Sequence, residues 1–100
     1  MGAIIYEITA KVRSDLCQSY EDYMREVHIR DLLATGCFET ASFERSDAGR
    51  YRIRYYACTQ TALEEYIHSH APRLRDDFQK HFPDGVEVSR EEWTVIANFA

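Results

Sequence analysis

Residues 50–58 read RYRIRYYAC and alternate cleanly. Tyr51, Ile53, Tyr55 and Ala57 fall on one face, and Arg52, Arg54 and Tyr56 on the other. A period of two in aromatic and β-branched residues is the pattern of a half-buried strand. Just upstream, Ser46-Asp47-Ala48-Gly49 has the chemistry and the length of a hairpin turn. Residues 37–45 (CFETASFER) supply the strand that enters this turn, with looser alternation. The middle of the chain is therefore a β-hairpin, and the elements on either side decide what fold it belongs to.

On the N-terminal side, residues 3–12 (AIIYEITAKV) alternate again: Tyr6, Ile8, Ala10 and Val12 against Glu7, Thr9 and Lys11. Ser14-Asp15 then offers an N-cap with an acid in the first turn. Leu16, Tyr20, Tyr23, Met24 and Val27 come next at helical spacing, which predicts an amphipathic helix over 15–27. The stripe slips phase after Val27 and resumes at Ile29, Leu32 and Leu33. This predicts a kink near His28, a further helical turn, and a stop with Gly36 as the C′ residue.

On the C-terminal side, Thr59 and Thr61 are alternative N-caps, with Thr61 and Glu64 spaced as a capping box. Leu63, Tyr66 and Ile67 begin an apolar stripe. Pro72 opens a new helical turn after His70-Ala71, and Leu74, Phe78 and Phe82 carry the stripe on to Pro83-Asp84-Gly85. Residues 86–97 (VEVSREEWTVIA) predict a last strand with an irregularity at Arg90-Glu91. No repeat, linker or low-complexity segment interrupts the chain, so residues 1–100 are expected to form a single domain.

The order is βαββαβ, the ferredoxin-like α+β pattern: an antiparallel four-stranded sheet with two helices on one face. The other face is left uncovered and should carry Glu7, Thr9, Lys11, Arg52, Arg54 and Tyr56. Such a face can be solvated, can bury itself against a second copy, or can stack nucleic-acid bases. The chain carries 12 basic and 17 acidic residues, a net charge of −5. Nucleic-acid binders are normally basic, and the facing positions of the first strand, Glu7 and Thr9, lack the aromatic pair that base stacking requires. Pairing into a homodimer, a dimeric α+β barrel, is the expected use of the face; nucleic acid and membrane are not expected partners. No stretch is long and apolar enough to span a bilayer, and the N-terminus lacks a basic-then-apolar leader. Cys17, Cys37 and Cys58 are odd in number and widely spaced, which fits a reducing, cytoplasmic setting rather than a disulfide framework.

Motif chemistry is sparse. There is no G-x-G-x-x-G, P-loop, H-E-x-x-H or nucleophile elbow, and no cofactor is expected. His68 and His70 are two apart on a helix and point away from each other, so no metal site is expected. His28 lies at the phase slip, where its ring can reach beneath the helix as a general base or can simply satisfy the helix end. Arg52 and Arg54 can fork onto an anionic ligand, or pair with Glu7, Glu39 or Glu44 across strands. Trp93, Tyr55 and Tyr6 read as core, or as the lining of an apolar pocket between sheet and helices, with Trp93 and Tyr56 as candidate ligand contacts.

Several scattered runs carry a resemblance. They are Tyr6-Glu7-Ile8-Thr9, His28-Ile29, Leu33-Ala34-Thr35-Gly36-Cys37-Phe38, Tyr66 through His70-Ala71-Pro72-Arg73-Leu74-Arg75, and Arg90 with Trp93. Together they resemble a family of short bacterial proteins of unknown function. That family is similar to the dimeric α+β barrel superfamily, which includes cofactor-free monooxygenases, isomerases and stress-response barrel proteins. Its members often carry Pro where Arg30 stands, so a sharp break after Ile29 is not expected here. The resemblance implies a ferredoxin-like subunit that pairs through its sheet, and it adds His70 to the candidate ligand contacts. It implies no established reaction. The expected function is a homodimeric ligand-binding or accessory protein for a small organic molecule. The alternatives are a cofactor-independent monooxygenase, cyclase or isomerase acting through His28, and a regulatory or nucleic-acid-contacting module.

Overall fold

The computed structural model describes residues 3–100. Four strands, β1 (Ile4–Val12), β2 (Thr40–Arg45), β3 (Arg50–Ala57) and β4 (Val86–Thr94), form one antiparallel sheet in the order β2-β3-β1-β4. Two helical runs cross one face. The first joins α1 (Cys17–Tyr23) to α2 (Ile29–Ala34), and the second joins α3 (Gln60–Glu65) to α4 (Ala71–His81). This is the ferredoxin-like fold, with the hairpin at β2-β3 and both helical runs on the same side.

Register decides which residues face the helices. Tyr6 stands opposite Tyr55, Ile8 opposite Ile53 and Ala10 opposite Tyr51, and all six are buried. Tyr20, Met24, Leu32, Leu63, Tyr66 and Leu74 come down onto this surface from the helices. The odd positions of β1 look the other way: Glu7 opposite Arg54 and Thr9 opposite Arg52. The uncovered face therefore carries the predicted set.

The phase slips in the two apolar stripes have one physical cause. Met24–His28 and Tyr66–His70 wind as π-helix, so each run gains one residue per turn at its middle. One extra residue rotates the downstream turns by about 100°, which brings a second stripe back onto the sheet. The kink expected near His28 is thus a change of winding, and the helix runs on through Arg30 without a break.

Four local expectations differ from what forms, and one choice between alternatives is settled. Ser14 and Asp15 do not cap α1: residues Ser14–Leu16 make a 3₁₀ turn, Asp15 is held instead by Arg13 at 2.6 Å, and the α-helix begins at Cys17. Of the two threonines, Thr59 is the N-cap, accepting the Ala62 N–H at 3.1 Å. Strand β2 starts at Thr40, because Phe38 turns inward to pack at 4.9 Å on Tyr66 and 5.2 Å on Tyr55. Strand β4 has no irregularity at Arg90-Glu91; it keeps one register against β1 from Val86 to Thr94, where it ends. That unbroken register puts Trp93 beside Ile5 on the uncovered face, half-exposed, and not in the core with Tyr6 and Tyr55.

The turns form where expected. Gly36 closes the first helical run at φ +79°, and Gly49 closes the hairpin at φ +86°. A Cβ on Gly49 would lie 2.7 Å from the Val12 carbonyl oxygen, whereas one on Gly36 would meet nothing within 4 Å. Gly49→Ala is expected to lower stability by roughly 2–3 kcal/mol and Gly36→Ala by about 1 kcal/mol, since both carry left-handed strain but only Gly49 adds a clash. Urea denaturation of the two variants checks the order, and equal losses would mean that the clash is relieved freely.

Candidate functional site

The helices cover β3 and β1 but not all of β4. On the helix side of β4, Val86 and Val88 are half-buried and Arg90 is exposed. A cleft of about 290 Å³ opens there, between β1 and β4 below and the helices above. Strand β1 contributes Tyr6 and Ile8, α1 contributes Tyr20, and α4 contributes Arg75, Phe78 and Gln79. The remaining helical contributors, Met24, His28 and Tyr66, all come from the two π-helical segments. The winding that restores the apolar stripes therefore also aims His28 and Tyr66 at this space.

His28 is 8% exposed, the sole buried polar residue among those described. Its ring centroid lies 5.5 Å from Phe78 and 5.9 Å from Tyr23. Its Nδ1 is buried and makes no hydrogen bond with any described residue, so His28 does not satisfy its helix end. Burial pushes the imidazole down to about pH 4, against the pull of Asp31 and Asp77 and with the help of Arg90. The ring is neutral at pH 7, with one nitrogen able to donate and one able to accept.

Two guanidiniums share the cleft. Arg75 Nη2 donates to the Tyr6 hydroxyl at 3.0 Å, and Arg90 stands on the outer strand. Burial raises the Tyr66 and Tyr20 hydroxyls above their ordinary pKa, so both are protonated at neutral pH. The lining contains no Asp or Glu. The arrangement offers an apolar, aromatic-walled space with cationic donors and a neutral imidazole.

The remaining predicted site residues lie elsewhere. Arg52, Arg54, Tyr56 and Trp93 are on the uncovered face, across the sheet from His28. Arg52 Nε pairs with Glu44 at 2.6 Å. Arg54 Nε lies 3.3 Å from Glu7, an ion contact without hydrogen-bond alignment, and its guanidinium sits 5.9 Å from the Tyr56 ring. Cross-strand pairing thus takes up both arginines. A broad groove of about 700 Å³ runs over this face past Glu7, Thr9, Lys11, Glu44, Arg52, Glu87 and Ser89. His70 heads α4 with its ring stacked 6.5 Å from Tyr66, and it does not line the cleft. His28 is the one predicted site residue that reaches the cleft, and Tyr6, read as core or pocket lining, lines it as well. Arg75 and Arg90 went unassigned, although Arg90 breaks the Val86-Val88 alternation with a charge on the apolar side of β4, which is a legible signal.

Residues 3–96 match the family described as Domain of unknown function (DUF4286). The chain belongs to the DUF4286 family. No curated protein matches it. Solved structures with the same fold do. One is a dimeric ferredoxin-like protein from an uncultured marine organism (12% identity, TM-score 0.70, covering 99% of this chain and 100% of that one). Another is a protein of unknown function from Nitrosomonas europaea (7% identity, TM-score 0.72, 100% and 95%). A third, from the same organism, is a candidate antibiotic biosynthesis monooxygenase (13% identity, TM-score 0.69, 96% and 93%). At these identities the likeness is one of fold.

The buried His28 makes the stability of this DUF4286 chain depend on pH. In the fold the ring stays neutral down to about pH 4, whereas an unfolded histidine takes up its proton near 6.5. The unfolded state therefore binds the proton first as pH falls, and stability is lost from about pH 6.5 down to about pH 4. Between pH 7 and pH 5 the contribution is roughly 2 kcal/mol. His28→Gln is expected to lose that much less stability over the same interval, measured by urea denaturation of both proteins at both pH values.

Proposed function

We propose that this chain is a homodimeric α+β barrel protein that binds a small organic molecule in the cleft beneath its helices. The observation that carries the ligand reading is the composition of that cleft: aromatic walls, two arginines, a buried neutral histidine and no acid. Concave, largely apolar sites with a few convergent polar groups are the usual form of small-molecule sites. Residues 1–100 act in this reading as one domain, and the three free cysteines support a reducing, cytoplasmic setting.

Support for pairing comes from the uncovered face. Trp93 is half-exposed there beside Ile5, whose other neighbour is Tyr56, giving an apolar strip at one end of a charged surface. Ser42 Oγ and Arg54 Nε, neighbours by register, are buried on this face without hydrogen-bond partners in the chain. Glu7 and Glu44 flank Arg54 and Arg52 on this face, so it offers charges of both signs to a second copy. The marine relative in fold is described as dimeric. Sedimentation at micromolar concentration should give twice the 11.7 kDa of one chain. A clean monomer overturns the pairing. Arg54→Glu, which sets like charges opposite Glu7, should shift the protein toward monomer while leaving its helical signal unchanged.

His28 favours a second reading, cofactor-independent catalysis on the bound molecule. A neutral imidazole with an unpartnered nitrogen in an apolar cleft can accept a proton from a carbon or hydroxyl acid, and a neighbouring arginine can hold the anion that results. Turnover of any substrate would then be abolished by His28→Ala with binding largely kept. Unchanged turnover removes His28 from the mechanism and leaves the binding role.

A further inference from the structure

We propose that the cleft takes a single-ring aromatic carboxylate bearing a ring hydroxyl, with Arg75 and Arg90 on the carboxylate and His28 on the hydroxyl. This rests on the cleft being the small-molecule site.

Charge gives the first part. The chain is acidic overall, yet the cleft holds two guanidiniums and no carboxylate. Most arginines elsewhere meet acids: Arg45 lies 2.9 Å from Glu21, Arg52 lies 2.6 Å from Glu44, and Arg54 lies 3.3 Å from Glu7, while Arg30 and Arg73, which form no ion pair among the described residues, line no cleft. Among the described residues Arg75 and Arg90 form no ion pair, and the one side-chain bond of Arg75 goes to the Tyr6 hydroxyl. A guanidinium without an acid presents a fork that fits a carboxylate in two-point fashion. The same pair repels an ammonium.

Size and walls give the second part. An engineered protein cavity of about 150 Å³ holds one benzene. The cleft, at about 290 Å³, has room for one ring with a short acidic arm. Tyr20, Phe78 and Met24 supply flat and apolar surface for that ring. His28 gives the third part. Its ring lines the cleft, its Nδ1 is sealed, and its Nε2 is unsealed and makes no hydrogen bond with any described residue. A phenolic hydroxyl, which both donates and accepts, can satisfy either tautomer of a neutral imidazole.

The test holds the ring constant and changes the head. Backbone amide spectra of the full chain are titrated with 4-hydroxyphenylacetate, with 4-hydroxyphenethyl alcohol and with tyramine, and separately with phenylacetate. The acid should shift Met24, His28, Phe78 and Arg90 saturably, the alcohol should bind about tenfold more weakly, and tyramine should not bind. Phenylacetate should bind several-fold more weakly than its hydroxylated analogue. Arg90→Gln, at an exposed position that leaves the fold intact, should weaken the acid about tenfold and leave the alcohol unchanged. Arg75→Gln should do the same where its thermal midpoint is retained. If the alcohol or tyramine binds as well as the acid, or Arg90→Gln has no effect, the ligand class is wrong while the cleft remains a small-molecule site. Equal binding of phenylacetate and 4-hydroxyphenylacetate overturns the contact with His28. If no probe shifts the cleft residues, the small-molecule site itself falls.

Discussion

The antiparallel register of β1 against β3 is the constraint on which both faces of this protein depend. It sets Tyr6 against Tyr55 and Glu7 against Arg54 in adjacent steps. A slip of one residue would send the aromatic set to water and the charged set under the helices. Tyr6 shows how much converges on that register. Its ring lies 6.0 Å from Phe38 and 5.7 Å from Tyr66, and its hydroxyl accepts from Arg75. The same side chain is thus core on one side and cleft wall on the other. Gly49 holds the register at one end, where the Val12 N–H donates to its carbonyl at 2.7 Å.

The π-helical segments are the second organising feature. Each helical run is long enough that a single α-helical stripe would drift off a flat surface. Inserting one residue at Met24–His28 and one at Tyr66–His70 returns the second half of each run to the sheet. The inserted turns present side chains that ordinary helical winding would not bring to the same place. Site and packing share one device here, so a residue such as His28 is held by the same turn that seats Met24 in the core.

Much of the fold was legible in the sequence because it rests on local signals. Alternation marked β1 and β3, and Gly36 and Gly49 marked their turns. The stripe shift after Val27 was visible, although its cause, an added residue rather than a kink, needs the backbone. Ser14 misled because Arg13 takes Asp15 into a salt bridge and a 3₁₀ turn intervenes. Trp93 misled because aromatic character suggests burial, whereas its parity with Ile5 puts it outside. The cleft was the least legible part. Arg75 and Arg90 are fifteen positions apart on different elements, and only the antiparallel pairing of β4 with β1 brings them under one roof. Arg52 and Arg54 drew attention as a motif, yet neighbouring acids occupy them.

The sheet also has two open edges, β2 and β4. Bare edges invite strand-to-strand growth without limit. The outer strand β4 carries Arg90, Glu91 and Glu92 in succession, with Glu87 before them. An added strand would have to bury that mixed run on both sides of itself. The hairpin edge bears Glu44 and Arg45, the latter turned inward toward Glu21. The charges on both outer strands therefore stand against strand-to-strand growth at either edge. The charge at the rim makes the difference between a finite particle and a fibre.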